Sequence, residues 1–256
     1  MQDDGKTLNI IDINQIAKEA GNIIMQYYSN KYEIHIKDDE SPVTEADLAA
    51  NDFIVASLKY LDSSIKIISE ENHPPENYLN DSSGRFWLID PIDGTKGFIS
   101  KDDQFTVNIA LIENHKPVLG VIYVPTKGDL YFSDFTSTAY KTDSEGTTKI
   151  LKVRQLSNSG IDALISKSND EGINQLNKLY KVNSATKIGS SLKLCYIAEG
   201  LADAYPRKGL TMEWDTAAGH AILLAAGGKI VDYENNDLIY GKADFKNPAF
   251  IALGRE

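Results

Sequence analysis

One stretch of this chain, residues 86–98, constrains the fold more than any other, and it reads FWLIDPIDGTKGF. Its four leading apolar residues predict a short buried strand that ends at Asp90, because the proline that follows cannot donate a ladder hydrogen bond. Asp93 and Gly94 then predict a turn, and Gly94 lets the backbone come close to a ligand. Two carboxylates flank this turn, and the hydroxyl of Thr95 follows it. The stretch therefore predicts a floor for hard cations beside a phosphate site.

The length, charge and cysteine content of the chain limit the class of protein. With 256 residues it can bury the core of one sizeable domain or of two smaller ones. The net charge of −11 argues against a general surface for nucleic acid or anionic membranes. The single cysteine, Cys195, excludes an internal disulfide framework and a cysteine-based zinc site, and it fits a reducing compartment.

Targeting signals are not expected either. The acidic residues 1–4 lead into no apolar segment of a signal peptide, and no run of about 18 apolar residues could span a bilayer. We therefore expect a cytoplasmic protein without an integral membrane segment and without a nucleic-acid partner. Peripheral membrane association, and the choice between a monomer and a homodimer, stay open.

Two helices are predicted before the opening stretch. Apolar residues recur at helical spacing over Ile10–Tyr28. A second helix is expected to run from an N-cap at Thr44 to about residue 60, with Asp47 as the capping-box partner at position N3. Residues 64–68 then predict a strand that leads into Glu70, and a loop is expected at 73–84.

The rest of the chain divides into two patterns. Consecutive apolar segments joined by short turns predict an antiparallel meander, with strands at 105–112, 117–124, 130–133 and 138–141. A polar, exposed loop is expected at 143–152, close to a domain boundary. Beyond it, strands and helices alternate as in α/β proteins, and the last helix covers 214–226. We expect an N-terminal α+β domain at 1–155 and a C-terminal α/β domain at 156–256.

Each acidic motif has an ordinary structural interpretation when it is taken alone. Asp47 can cap a helix, and Asp215 can complement the dipole at the start of the last helix. Glu70 is compatible with solvated surface. His220 is best explained as a hydrogen-bonded helix residue, because no second histidine is spaced for zinc.

Taken together, the motifs resemble the inositol monophosphatase superfamily. The resemblance rests on DPIDGT at 90–95, the upstream Glu70, WDTAAG at 214–219 and PVTEAD at 42–47. It covers nearly the whole chain, and the order and spacing of the motifs agree. It implies a layered α/β/α/β/α sandwich and a magnesium-dependent, lithium-sensitive phosphatase, with the site in a cleft between the two halves.

The resemblance also implies a role for each matching residue. Two to three Mg²⁺ ions would be held by Glu70, Asp90, Asp93, Asp215 and the carbonyl of Ile92. Asp47 and Thr95 would orient a metal-activated water and take its proton, and Glu70 would help to place the third ion. Substrate would contact the following residues: Asp93, Gly94, Thr95, Ser190, Lys193, Arg207 and Asp215. Gathered carboxylates repel one another, so a need for cations is also a physical expectation.

Further features lean toward the 3′(2′),5′-bisphosphate nucleotidases of this superfamily, which hydrolyse adenosine 3′,5′-bisphosphate to AMP. Lys193 and Arg207 would suit a second phosphate or a stacked adenine. Gly97 and Glu213 depart from the usual pattern and put the fine substrate preference in doubt. A phosphatase for inositol or sugar phosphates, and a non-catalytic nucleotide or metal sensor, are the alternatives.

Overall fold

The computed structural model describes residues 8–30, 33–36, 42–72, 84–135, 137–167 and 171–255. Six α-helices lie in this part of the chain, and the predicted first two are confirmed. The bounds are α1 (Ile10–Tyr28), α2 (Glu45–Leu61), α3 (Thr95–Ser100), α4 (Gly172–Leu179), α5 (Leu192–Ala198) and α6 (Glu213–Ala225). Of the predicted loop at 73–84, only Gly84 belongs to the described residues. None of the described helices combines the length and the apolar character needed to cross a bilayer.

The described strands form three sheets. The smallest pairs β1 (Ile34–Ile36) with β2 (Pro42–Thr44), and the sequence pattern predicts neither strand. The largest sheet contains β3 (Lys66–Ser69), β4 (Arg85–Asp93), β5 (Thr106–Glu113), β6 (Lys116–Val124), β7 (Asp129–Ser133), β8 (Ala139–Thr142) and β9 (Thr148–Ile150). Its strands lie side by side in chain order, and all pairs after β3–β4 are antiparallel. The predicted meander is therefore confirmed.

The predicted loop at 143–152 is wrong in part, because β9 lies inside it. This strand pairs with β8 and extends the sheet to seven strands. All three of its side chains are exposed. An exposed edge strand has no apolar alternation, so the sequence pattern could not distinguish it from a loop.

The prediction that β4 ends at Asp90 is also wrong. Asp90 pairs with Asn108 of β5, and Asp93 pairs with Thr106. Three steps along β4 thus match two steps along β5, which is a β-bulge with one extra residue. Pro91 lies inside the bulge, where its missing N–H costs no ladder hydrogen bond. Because side chains alternate between faces, the extra residue brings both aspartates to the same face of the sheet.

The third sheet belongs to the second half of the chain. It contains β10 (Ile161–Ser166), β11 (Val182–Ile188), β12 (Ala204–Arg207), β13 (Lys229–Asp232) and β14 (Phe250–Leu253). The strand order is β11-β10-β12-β14-β13, with β10 parallel to both of its neighbours and β14 antiparallel to both of its own. The alternating α/β pattern is confirmed. Strand β14 is not among the predicted strands, although its four apolar residues are the same kind of signal as the run at 86–89.

Helices and sheets stack in five layers, which confirms the predicted α/β/α/β/α sandwich. Helices α1 and α2 cover one face of the seven-stranded sheet, and α5 and α6 lie between the two large sheets. Helix α4 packs on the five-stranded sheet. Helices therefore cover both faces of the large sheet, so β5 is buried along nearly its whole length.

Small residues let α6 pack closely between the sheets. A Cβ atom at Gly120 of β6 would lie 2.2 Å from the carbonyl oxygen of Ala218, and one at Gly219 would lie 2.4 Å from Cδ1 of Leu194. Both positions require glycine, because real Cβ atoms do not come this close to other heavy atoms. One hydrophobic cluster accordingly joins both large sheets with α5 and α6. A domain boundary near residue 155, between β9 and β10, stays a prediction.

Candidate active site

Four carboxylates come together between the two large sheets. Asp90 and Asp93 flank the bulge of β4. Glu70 follows β3, and Asp215 lies in the first turn of α6. The pKa of Asp90 is raised well above its usual value, first by burial and then by the charges of the other three groups. Such effects require short distances, so the structure gathers the four carboxylates that the motifs single out. We call these four residues the acidic floor.

The carboxylate of Asp47 contacts both the N-cap residue of α2 and the hydroxyl of Thr95. Its Oδ2 atom accepts hydrogen bonds from the backbone N–H (2.8 Å) and the hydroxyl (2.6 Å) of Thr44, which confirms its place in the helix cap. Its Oδ1 atom lies 3.3 Å from the hydroxyl oxygen of Thr95. Burial raises the pKa of Asp47 to about 6, against the opposing effect of the Thr44 hydrogen bonds. Asp47 is thus a fixed acceptor beside Thr95, with a pKa suited to proton uptake near neutral pH.

Asp215 is fixed in a similar way at the start of α6. Its Oδ2 atom accepts a hydrogen bond from the backbone N–H of Met212 at 2.8 Å, and Asn247 Nδ2 donates to the Met212 carbonyl at 2.7 Å. Burial raises the pKa of Asp215 well above its usual value, and the charge of Asp93 adds to this effect. The predicted structural role at the helix start is confirmed. The cap uses Oδ2 and leaves Oδ1 for the metal role, which stays a prediction.

A buried polar network holds Asp93. Its Oδ2 atom accepts hydrogen bonds from the backbone N–H and the hydroxyl of Ser191, both at 2.5 Å. Asn108 Nδ2 donates to Ser191 Oγ at 2.9 Å, and the hydroxyl of Thr106 donates to Asn108 Oδ1 at 2.9 Å. Sequence reasoning does not identify these three partners. The two polar residues inside the otherwise apolar strand β5 are the signal that could have found them.

The acidic floor fits hard cations, although its side chains are not arranged around one centre. Asp90 Oδ1 is buried and has no hydrogen-bond partner among the described residues. An ionised oxygen in this position is costly unless a cation faces it, and oxygen is the ligand atom that Mg²⁺ prefers. Within the described ranges, no three His, Cys, Asp or Glu side chains converge closely enough to hold an ion. The ligand roles of these carboxylates, and that of the Ile92 carbonyl, stay predictions.

A tight turn forms the predicted phosphate position. Gly94 has a φ angle of 96°, and a Cβ atom there would lie 2.9 Å from the carbonyl oxygen of Gln104. A larger residue would strain this turn. The hydroxyl of Thr95 is 3.1 Å from the carbonyl oxygen of Ile92, which ties the turn to the bulge. Ser190 faces the same cleft from the loop before α5.

One cleft of about 510 Å³ joins these parts. The acidic floor contributes Glu70, Asp93 and Asp215 to its lining. Its basic lining residues are Lys96, Lys167, Lys193 and Arg207. We call the predicted pair, Lys193 and Arg207, the basic wall. Opposite charges thus line one space, an arrangement that suits cations together with an anionic substrate.

The side chains of the basic wall donate to backbone carbonyls. Lys193 Nζ donates to Ile188 O at 3.2 Å and to Ser190 O at 2.5 Å, and burial lowers the pKa of Lys193 to about 8. Arg207 Nε donates to Gly209 O at 3.1 Å, and its Nη2 donates to a second carbonyl in the same loop. Both residues therefore line the cleft, and their contacts with a substrate stay predictions.

Other singled-out residues serve the fold. Glu213 is fully buried and accepts hydrogen bonds from the backbone N–H groups of residues 241 and 242 at 2.6 and 3.0 Å. It thus fixes this segment against the start of α6. His220 is buried with its Nδ1 atom 2.9 Å from the Tyr240 hydroxyl, which confirms its structural interpretation. Cys195 is a buried core residue.

Comparison with known proteins defines the class. Residues 6–252 match the model of the inositol monophosphatase family, a span that contains the acidic floor, the basic wall and the Asp47–Thr95 contact. The chain belongs to the inositol monophosphatase family.

Two relatives and one solved structure are similar to this chain over nearly its whole length. The 3′(2′),5′-bisphosphate nucleotidase CysQ of Salmonella typhimurium is 44% identical over 239 residues, which cover 92% of this chain and 96% of the relative. The protein of the same name from Shigella flexneri is 42% identical over 246 residues, with the same two coverages. The crystal structure of CysQ from Bacteroides thetaiotaomicron superposes with a TM-score of 0.82 at 35% identity, covering 98% of this chain and 99% of that one.

Proposed function

We propose that this protein is a Mg²⁺-dependent phosphatase that hydrolyses adenosine 3′,5′-bisphosphate to AMP and phosphate, and that also accepts the 5′-phosphosulfate form. The observation that carries the proposal is the meeting of three parts in one cleft: the acidic floor, the Asp47–Thr95 contact beside it and the basic wall. The names of the relatives support the nucleotide substrate. The buried, reduced Cys195 fits a cytoplasmic location.

The metal-binding part of the proposal assigns the ions to the acidic floor and to the Ile92 carbonyl. Once bound, Mg²⁺ would neutralise the gathered carboxylates, lower the pKa of a water and stabilise charge on the leaving oxygen. The chain prepares these ligands through fixed oxygens. Ser191 holds one oxygen of Asp93, and the Met212 N–H holds one of Asp215, so the second oxygen of each is left to face an ion.

Thr95 and Asp47 provide the route for the proton. The Thr95 hydroxyl would bind the attacking water, and Asp47 Oδ1, which is 3.3 Å away, would accept the proton through that hydroxyl. Water oxygen then bonds to phosphorus, the bond from phosphorus to the ribose oxygen breaks, and the ribose oxygen takes a proton from solvent. The raised pKa of Asp47, about 6, favours this role, because the group is ionised at neutral pH and basic enough to accept a proton.

The substrate would lie across the cleft. Backbone N–H groups of Gly94 and Thr95 would receive the phosphate that is cleaved, beside Asp93. The nucleoside and the remaining phosphate would extend toward Ser190 and the basic wall. Lys193 stabilises the Ser190 carbonyl through its Nζ atom, so this residue would shape the nucleotide site even where it does not touch the phosphate.

A substrate panel tests the proposal. With Mg²⁺ present, phosphate release from adenosine 3′,5′-bisphosphate should exceed release from inositol 1-phosphate, and Li⁺ should inhibit the reaction. Faster turnover of inositol 1-phosphate would instead assign the chain to the inositol-phosphate phosphatases of its family. If neither substrate released phosphate, a nucleotide or metal sensor would replace the enzyme. Arg207→Glu should lower nucleotide turnover more than turnover of inositol 1-phosphate, and equal losses would contradict the binding role of Arg207.

A further inference from the structure

An ion pair crosses the cleft beside the proposed phosphate position. Lys167 is the first residue after β10, and Asp102 is the second residue after the end of α3. Lys167 Nζ lies 2.7 Å from Asp102 Oδ2, and both residues line the cleft. One partner comes from each half of the chain. The pair is therefore a direct polar contact between the two halves of the chain, and a substrate has to enter the cleft between these halves.

Gly97 makes room for the carboxylate of this pair. A Cβ atom at Gly97 would lie 2.7 Å from Asp102 Oδ1 and 3.2 Å from the carbonyl oxygen of Gln104. The same Oδ1 atom accepts a hydrogen bond from the backbone N–H of Gln104 at 2.9 Å. Asp102 is thus held at one oxygen and presents the other to Lys167. A side chain at position 97 would therefore displace Asp102 from this place.

Lys167 differs from the basic wall in what it contacts. Lys193 and Arg207 donate to backbone carbonyls, which cannot leave without moving the chain. Lys167 pairs with a carboxylate on another loop, and its side chain is 39% exposed. Ion pairs at this exposure contribute little to stability. An incoming anion can therefore replace Asp102 at Lys167 without disturbing the fold.

The position of the pair matches the second charge of the proposed substrate. Gln104 connects this pair to the turn at Gly94. Its backbone N–H donates to Asp102 Oδ1 at 2.9 Å, and a Cβ atom at Gly94 would lie 2.9 Å from its carbonyl oxygen. The Asp102–Lys167 pair therefore lies beside the turn proposed for the cleaved phosphate, without being part of the acidic floor. Lys167 also lies near the basic wall, because its charge adds to the effect of burial in lowering the pKa of Lys193. A remaining phosphate that extends toward the basic wall therefore also approaches Lys167.

We propose that Lys167 is a specificity-determining residue that binds the uncleaved phosphate of the substrate, and that Asp102 holds it in place until the substrate enters. This inference rests on the proposed function, and it adds the residue that distinguishes a bisphosphate from a monophosphate. Asp102 acts against binding, because its carboxylate competes with the phosphate for one ammonium group. The pair thereby selects substrates whose second group is anionic enough to displace a carboxylate.

The test compares two substrates that share the cleaved ester and differ in the second phosphate: adenosine 3′,5′-bisphosphate and adenosine 3′-monophosphate. The ratio of their kcat/KM values is measured with the full chain and Mg²⁺. Lys167→Met should lower this ratio by at least about tenfold, the effect of losing a charge-assisted hydrogen bond. Lys167→Arg should keep most of it. Lys149→Met is the matched control, because Lys149 Nζ also lies 2.7 Å from a carboxylate, that of Glu199, and is not among the residues lining the cleft.

Asp102→Asn sharpens the test because it predicts a change in the opposite direction. Freeing Lys167 should raise the ratio severalfold, and the rise should vanish in the double variant Asp102→Asn/Lys167→Met. An unchanged ratio in Lys167→Met, or a fall in Asp102→Asn, would overturn the inference while leaving the proposed function intact. A wild-type protein that releases no phosphate from either nucleotide would overturn the proposed function, and the inference with it.

Discussion

The acidic floor and the basic wall face each other across one cleft, and they differ in how complete they are. In the acidic floor, burial and then mutual repulsion raise the pKa values of Asp90 and Asp215, and Asp90 Oδ1 has no hydrogen-bond partner in the part of the chain that the structure describes. In the basic wall, the donors of Lys193 and Arg207 are bonded to carbonyls of their own loops. The proposed function therefore requires ions to complete the acidic floor, whereas the donors of the basic wall are already hydrogen-bonded without a substrate.

The largest effect should follow from removing one charge of the acidic floor. Asp93→Asn should lower kcat/KM by on the order of a thousandfold or more, because an amide is a poor ligand for Mg²⁺. The fold should survive, since the amide oxygen can still accept the hydrogen bond from Ser191 N. Circular dichroism and melting temperature without Mg²⁺ serve as the control. Activity close to that of the wild type would remove Asp93 from the metal site.

The next effect is the pH dependence of ion binding. Carboxyls whose pKa is raised by folding stabilise the ion-free fold when protonated, and this contribution is lost as pH rises through the folded pKa. For Asp47 the window runs from its ordinary value of 3.8 to about 6. Ion-free protein should hence gain melting temperature between about pH 7.5 and pH 5. Mg²⁺ must displace these protons, so its affinity should fall by up to about tenfold per pH unit for each proton displaced.

Calorimetric titration of Mg²⁺ and melting curves with and without the ion check this prediction. As pH falls, the melting temperature without Mg²⁺ should rise, whereas the melting temperature with Mg²⁺ should fall. A Mg²⁺ affinity that is the same at about pH 7.5 and at about pH 5 would mean that the acidic floor is not the ion site.

A smaller effect is expected from the network behind the floor. Ser191→Ala removes the hydroxyl that holds Asp93 Oδ2. Loss of a group that hydrogen-bonds to a metal ligand typically changes metal affinity by about 10- to 100-fold, so the Mg²⁺ dissociation constant should rise by at least about tenfold. Ser184→Ala is the matched control, because Ser184 Oγ also donates to an aspartate, Asp162, but on the exposed edge strand β11. Equal Mg²⁺ affinity in the two variants would refute the positioning role of Ser191.

The smallest effect on chemistry should come from the basic wall. Lys193→Met should raise KM for the nucleotide severalfold and leave kcat within about twofold, because Lys193 shapes the Ser190 loop rather than the reacting phosphate. Steady-state kinetics on adenosine 3′,5′-bisphosphate separate the two constants. A fall in kcat as large as that of Asp93→Asn would show that wall and floor act as one unit.

Local signals in the sequence predict much of this fold. The periodic apolar face of α1 and the Thr44–Asp47 cap of α2 are each contained in a few neighbouring residues, so both are found in the structure as expected. The motifs also single out the members of the acidic floor, because order and spacing along the chain carry that information.

Features that depend on distant pairing could not be predicted. The bulge in β4 exists only relative to Asn108 and Thr106 of β5, and strand β9 only relative to β8. The hydrogen bond from Ser191 N to Asp93 joins residues that are 98 positions apart. These three features are consequences of tertiary packing. The two polar residues in β5 mark the strand as unusual, but they do not identify the residues with which it pairs.

The bulge in β4 also limits how this segment can change in length. Deleting one residue between Asp90 and Asp93 would restore a regular ladder with β5 and could leave the sheet intact. Both carboxylates would stay on one face, because they would then be two residues apart. The deletion would nevertheless remove the bend that the bulge introduces and draw the turn at Gly94 closer to Asp90. Substitutions at positions 91 and 92 should therefore be tolerated better than any insertion or deletion there. What the segment must preserve first is its number of residues.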